Sequence, residues 1–171
     1  MSNIILLTGR PGSGKTTLIK RVLALLTKPA GGFYTQEIRE DGVRKGFEIV
    51  TLDGERGILA HANSSKENRI GKYGVELSAL ETLGIAALQD AVEHNKLVVI
   101  DEIGPMEILS AHFRQVVLDI LGSGASVLGS IVGRSTLFTD QIKSRPEITL
   151  IDVTPENREE LVDKILGLIK N

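Results

Sequence analysis

The sequence predicts an α/β fold: a mostly parallel sheet with helices on both faces and a β-meander inserted after the first helix. Three observations predict it. Apolar runs of strand length, Ile4-Ile5-Leu6-Leu7, Leu97-Val98-Val99-Ile100 and Ser126 to Val132, alternate with segments of helical apolar spacing, as parallel strands buried on both faces require. A glycine-rich loop, Gly9-Arg10-Pro11-Gly12-Ser13-Gly14-Lys15-Thr16, joins the first of these strands to the first helix. Between residues 32 and 60, β-forming residues lack helical periodicity and are punctuated by Asp41-Gly42 and Asp53-Gly54, both hairpin signals.

Taken in order, the first strand covers Asn3 to Thr8. The helix after the loop runs to about Thr27, with Leu18, Val22, Leu25 and Leu26 on one face. Lys28-Pro29-Ala30-Gly31-Gly32 reads as a turn cluster. The meander follows as strands Gly32 to Arg39, Arg44 to Leu52 and Arg56 to Ala60. Residues 61–71 are polar and read as a loop, and Lys72 to Glu76 as a short strand. Ser78-Ala79-Leu80-Glu81 has capping-box spacing and opens a helix to about His94. After the strand from Leu97, a loop with Pro105 leads to a helix capped by Ser110. That helix continues through Leu121 and is stopped by Gly122 and Gly124. The strand Ser126 to Val132 precedes a short helix, Thr136 to Lys143, and Ile148 to Val153 is the last strand. Thr154-Pro155 places an N-cap and a first-turn proline before a closing helix with Leu161, Ile165, Leu168 and Ile169 on its apolar face.

With 171 residues the chain is expected to form a single domain, residues 1–171, large enough for a real core. The net charge of −2 and the absence of a basic block give nucleic-acid binding no electrostatic support. Aromatic residues are few and Trp is absent, so stacking platforms for single strands are not expected either. Without Cys there is neither a disulfide framework nor a thiolate metal site. His61, His94 and His112 share no ligand spacing. No apolar run approaches a membrane span, and no signal-peptide pattern is present, so a cytoplasmic location is expected. Nothing in the sequence sets the oligomeric state, and a monomer suffices.

The loop matches G-x-x-x-x-G-K-[ST], the phosphate-binding P-loop, in the strand–loop–helix order that its chemistry needs. Glycines at 9, 12 and 14 open conformations closed to residues with a Cβ, so successive N–H groups can turn inward as an anion nest. The helix start adds unpaired donors and a positive dipole end. Lys15 supplies a mobile charge for β- and γ-phosphate oxygens, and Thr16 a hydroxyl for Mg²⁺. The strand Leu97 to Ile100 ends in Asp101-Glu102, the form of a Walker B strand. Asp101 is the expected Mg²⁺ partner opposite Thr16, and Glu102 the candidate base that orients or deprotonates an attacking water. Lys15 and Glu102 are thus the catalytic candidates, and the fold class narrows to a P-loop NTPase with a nucleoside triphosphate as substrate.

Weaker candidates each have a plain structural reading beside them. Arg134 follows the strand ending at Val132 and either faces the phosphates or is a surface arginine. Arg145 is a lid residue or a solvated helix end. Arg10 covers the phosphates or faces solvent, and Glu107 supports the catalytic loop or is solvated. Asn157 and Arg158 follow the last strand, where a nucleotide base can sit, although Asn157 also suits a helix start. Glu37 and Arg39 reach the site or pair across strands at the surface.

With these residues in view, the chain resembles the THEP1 family of nucleoside triphosphatases over nearly its whole length. Gly31-Gly32-Phe33-Tyr34-Thr35-Gln36-Glu37-Ile38-Arg39, the stretch Gly42 to Phe47 with Arg44 and Gly46, and Asp101-Glu102-Ile103-Gly104-Pro105-Met106-Glu107 carry the resemblance, together with Thr154 and Asn157-Arg158. Pro105 departs from it, standing where many relatives are expected to carry lysine. The resemblance implies Mg²⁺-dependent splitting of NTP to NDP and phosphate with broad base tolerance. It also implies that Ile103 and Gly104 join Gly9 to Thr16, Asp101 and Glu102 in binding the nucleotide. Two other readings stay open. A nucleotide or small-molecule kinase would use the same loop, with residues 61–71 as a lid. A nucleotide-switched binding module would use Asp101-Glu102-Ile103-Gly104 as D-x-x-G, yet no guanine-reading N-K-x-D follows it, and Asn95-Lys96-Leu97-Val98 lacks the acid.

Overall fold

The computed structural model describes residues 3–170. Strand β1 (Ile4–Thr8) leads through the glycine loop into helix α1 (Lys15–Leu25). The antiparallel run is β2 (Ala30–Glu40), β3 (Val43–Thr51), β4 (Arg56–His61), β5 (Arg69–Ile70) and β6 (Tyr73–Val75). Helix α2 (Leu77–Ala79) passes through a π-helical stretch, Leu80–Gly84, into α3 (Ile85–Glu93). The rest alternates: β7 (Leu97–Ile103), α4 (Ala111–Gly122), β8 (Val127–Ile131), α5 (Leu137–Lys143), β9 (Ile148–Asp152) and α6 (Arg158–Lys170).

Among the described residues, nine strands lie in one sheet, in the order β5-β6-β4-β3-β2-β7-β8-β1-β9. The half containing β2, β7, β8, β1 and β9 is parallel. Each of its three central strands is apolar on both faces because helices cover both. In β1, Ile4 and Leu6 join the core beneath α3 and α4, while Ile5 and Leu7 join the core beneath α1 and α6. Period-two alternation thus feeds two apolar layers from one strand.

The meander extends this sheet rather than standing apart from it. β2 pairs parallel with β7 through Ala30 to Phe33 and antiparallel with β3 through Phe33 to Glu40. The expected turn at Ala30-Gly31-Gly32 is therefore strand. These residues are small because neighbours press on them. A Cβ on Gly32 (φ 114) would lie 2.1 Å from the Val99 carbonyl oxygen, and one on Gly31 would lie 3.0 Å from Ala91 Cβ. Composition that signals a turn locally serves close packing here.

Three further expectations shift. α1 ends at Leu25, two residues early, because Leu26 is extended (φ −83, ψ 134). The Ser78–Glu81 capping box does not form. The helix begins at Leu77 without a side-chain cap, and Glu81 instead accepts a hydrogen bond from Ser110 Oγ at 2.8 Å. The polar stretch 61–71 contains a short strand, since Arg69 and Ile70 pair with Gly74 and Tyr73. Ser110 caps α4 as expected, accepting from the Phe113 N–H at 3.0 Å. Thr136 caps α5 in a reciprocal pair with Thr139. Thr154 and Asn157 exchange side-chain-to-backbone hydrogen bonds at the start of α6.

Candidate active site

The site lies where β1, β7 and β8 end, beneath the glycine loop. Arg10, Pro11 and Gly12 form the exposed crest of that loop. The Ser13 N–H closes a turn on the Arg10 carbonyl at 3.1 Å, and Gly14, left-handed at φ 100, delivers the chain into α1. The first helical bond runs from the Leu18 N–H to the Gly14 carbonyl at 2.9 Å. Amides at this helix start point at whatever fills the loop. Ser13 Oγ is buried and has no hydrogen-bond partner.

Order of strands brings the second element into place. β8 separates β7 from β1, so an acid ending β7 can reach over β8 toward the loop that follows β1. Asp101 does so: its Oδ2 accepts from Thr16 Oγ1 at 2.6 Å, and its Oδ1 accepts from the Ser130 hydroxyl on β8. Lys15 Nζ donates to the Gly9 carbonyl at 2.8 Å and lies 3.9 Å from Glu102 Oε2. A break in the β7–β8 register between Ile100 and Ile103 accompanies the two adjacent acids, and the Asp101–Glu102 peptide is cis.

Electrostatics differ along this acidic run. Asp101 is 2% exposed, and burial pushes its carboxyl above the usual range against the pull of Ser130, Thr16 and Lys15. Burial also raises Glu102, with Lys15 opposing and Asp101 adding to the rise. Glu102 keeps a side chain 27% exposed, so solvent reaches it. Glu107 is buried and pushed up to about 8, by burial first and the Glu102 charge second, with the Glu107 and Gly104 amides opposing. The solvated reading of Glu107 is therefore wrong; it belongs to the loop's interior. Gly104 separates the two glutamates, since a Cβ there would lie 2.6 Å from Glu102 Oε1 and 2.9 Å from Glu107 Oε2.

The folded chain thus holds a proton on Glu107 that the unfolded chain releases near 4.5. Between those two values the folded state binds more protons, so stability falls as pH rises from about 4.5 to about 8. Glu107→Gln is expected to reduce that slope. Melting temperatures measured across this window check it, and equal slopes in the two proteins would refute the assignment.

Other candidates separate clearly. Ile103 is not brought to the cluster: its side chain lies in the core beneath α3 and α4, and its carbonyl accepts from the Val132 N–H at 3.1 Å. Arg145 pairs with Glu147 at 2.6 Å, partly exposed at the surface. Glu37 accepts from Arg39 and Arg44 at the surface of the meander. Arg134 is exposed in the loop after β8, and Lys143 ties that loop down by donating to the Val132 carbonyl at 2.8 Å. The Asn157 amide is consumed by the Thr154 N–H and the Asp152 carbonyl. Arg158 does reach the loop, its Nη1 lying 2.9 Å from where a Gly14 Cβ would be. Among the described residues, no group of three His, Asp or Glu side chains has metal-binding geometry, and no helix is long and apolar enough to cross a membrane.

Sequence reasoning missed Ser130 and Lys20. Ser130 is the one polar side chain in the buried strand Val127–Ile131, and that anomaly was its signal. Lys20 stands 4.2 Å over the Tyr34 ring, and its charge opposes, more weakly than Ser130, Thr16 and Lys15, the rise that burial causes at Asp101, with nothing local to mark it.

Comparison with known proteins gives the family. A family model described as NTPase matches residues 4–166. A nucleoside-triphosphatase THEP1 of Thermotoga sp. (strain RQ2) is 48% identical over 166 residues, covering 97% of this chain and 95% of that protein. The cancer-related nucleoside-triphosphatase of Homo sapiens is 36% identical, covering 100% of this chain and 98% of its own. The crystal structure of THEP1 from Aquifex aeolicus superposes with a TM-score of 0.90 at 36% identity, covering 99% of both chains. A family model over most of the chain and relatives matched over nearly their whole length show that the chain belongs to the NTPase family, among the THEP1 nucleoside-triphosphatases.

Proposed function

We propose that this chain, acting as one domain, hydrolyses nucleoside 5′-triphosphates to the diphosphate and phosphate with Mg²⁺. The observation that carries the reading is the convergence of Thr16 Oγ1 and Asp101 Oδ2 at 2.6 Å beside a lysine that faces Glu102. A hydroxyl and a carboxylate oxygen are the hard donors that Mg²⁺ prefers. The residues present therefore fit the ion, and Thr16 and Asp101 would hold it. Bound there, Mg²⁺ neutralises charge on the phosphates.

The chain's own groups do the rest. Backbone N–H groups at the end of the loop and the start of α1, from Gly14 to Thr16, bind phosphate oxygens and offset developing negative charge. The Lys15 ammonium, held by the Gly9 carbonyl, is aimed at the terminal phosphates. Glu102 is the group that orients water and takes its proton. Burial raises its affinity for that proton, which is what a base working near neutrality requires. Relatives named as triphosphatases give no support to the kinase alternative.

Phosphate release from ATP, GTP, CTP and UTP is the test. Turnover with each nucleotide is expected in Mg²⁺, with loss in EDTA and recovery when Mg²⁺ is restored. Diphosphate formation that needed an added acceptor and released no free phosphate, or phosphate release that survived EDTA undiminished, would defeat the proposal.

A further inference from the structure

Two residues fix the loop after β8 to both halves of the site. The Val132 N–H donates to the Ile103 carbonyl at 3.1 Å, beside Glu102 in the acidic run. A Cβ on Gly133 would lie 3.7 Å from Thr8 Oγ1, beside Gly9 of the glycine loop. Both contacts follow from the sheet order, because β8 stands between β7 and β1. Arg134 is the next residue. Its backbone therefore rises from the seam between Glu102 and the loop that receives the phosphates.

The backbone there is anchored, and the side chain is not. Lys143 Nζ donates to the carbonyls of Val132 at 2.8 Å and Gly133 at 3.3 Å. Thr139 Oγ1, on a fully buried residue, donates to the Arg134 carbonyl at 3.2 Å. These contacts set where the side chain begins. Among the described residues the Arg134 guanidinium is exposed and takes part in no hydrogen bond or ion pair. Neighbouring cations are engaged: Lys15 by the Gly9 carbonyl, Lys143 by the loop carbonyls and Arg145 by Glu147. Arg10 belongs to the crest of the glycine loop, and Arg158 rests against Gly14 where α1 begins. Arg134 is the arginine that enters between the loop and Glu102.

Hydrolysis moves charge. The bond from the γ-phosphorus to its bridging oxygen breaks, a bond to the water oxygen forms, and the water's proton passes to Glu102. Negative charge builds on the bridging oxygen and spreads over the γ-phosphate oxygens as this happens. Lys15 and the amides at the start of α1 meet that charge from the loop. We propose that Arg134 is a further catalytic residue and meets it from the β8 side, its guanidinium closing on γ-phosphate oxygens as their charge develops. It transfers no proton. A planar fork spans two oxygens at once, which an ammonium cannot do. With no ion pair in the free protein, the side chain breaks none when it engages. This inference rests on the triphosphatase reading above and deepens it.

Single-turnover phosphate release from ATP in Mg²⁺, beside equilibrium binding of its slowly hydrolysed imido analogue, tests it. Arg134→Ala is expected to slow release by about 10²–10³-fold and to leave the affinity for the imido analogue within about threefold. Arg134→Lys is expected to keep part of the rate, because the charge remains and the fork is lost. Free guanidinium ion below denaturing concentration is expected to speed Arg134→Ala and not the wild type. ADP with aluminium fluoride, which imitates the phosphoryl group in transit, should bind Arg134→Ala about tenfold more weakly or worse, while ADP alone binds both proteins equally. A wild-type release rate in Arg134→Ala would overturn the proposal. So would an equal loss of affinity for the imido analogue, which would make Arg134 a ground-state phosphate contact. Slowed release with no guanidinium rescue and an unchanged fluoride complex would make its role structural and overturn the proposal as well. Absence of phosphate release from the wild type would instead refute the triphosphatase reading itself.

Discussion

Glu102→Gln is expected to lower kcat by about 10²–10⁴-fold while nucleotide affinity holds or rises. The substitution keeps the shape of the side chain and removes only its capacity to take a proton. Each tenfold loss corresponds to about 1.4 kcal/mol of transition-state stabilisation. Affinity should not fall, because the triphosphate is an anion and Glu102 is the acid nearest its terminal end. Lys15, 3.9 Å away, would be left with a neutral neighbour and a less compensated charge for the phosphates. Single-turnover phosphate release and equilibrium binding separate the two effects. A variant with wild-type kcat would remove Glu102 from the mechanism, and one that lost binding and turnover together would make it a binding residue.

Gly32→Ala is expected to destabilise the fold by about 3 kcal/mol or more. Two independent costs add. The backbone at φ 114 is one that residues with a Cβ rarely adopt. The new methyl would also lie 2.1 Å from the Val99 carbonyl oxygen, which is backbone and cannot rotate away. The seam between β2 and β7 would have to part, and β7 carries Asp101 and Glu102 at its end. For a chain of this length the melting temperature should fall by roughly 6–12 °C. Gly122→Ala is the control, since nothing lies within 4 Å of the added atom. A melting temperature for Gly32→Ala within about 2 °C of wild type would show that the seam tolerates a side chain.

Legibility in the sequence followed the range of the interaction. Glycine loop, strand and helix are contiguous, so one local pattern specified them, and Ser110 and Thr154 announced their helices because a cap acts over three residues. Gly31 and Gly32 were misread because close approach and turning call for the same small residues, and only the presence of β7 distinguishes the two. Glu81 was misread because its partner, Ser110, lies 29 residues away. Asp101 was identifiable from its place at the end of a buried strand. Its second donor, Ser130, belongs to a neighbouring strand whose position no local pattern gives.

By itself the sequence determined the alternation of strand and helix and the glycine-rich turn, and marked the candidate acids, because periodicity and motif chemistry are properties of short stretches. Tertiary structure alone decided that the meander continues the parallel sheet, that Glu107 is buried without a cation, and that Arg158 rests on Gly14. Those outcomes depend on which strands become neighbours and on how much solvent the packing removes, and both are settled by the whole chain at once.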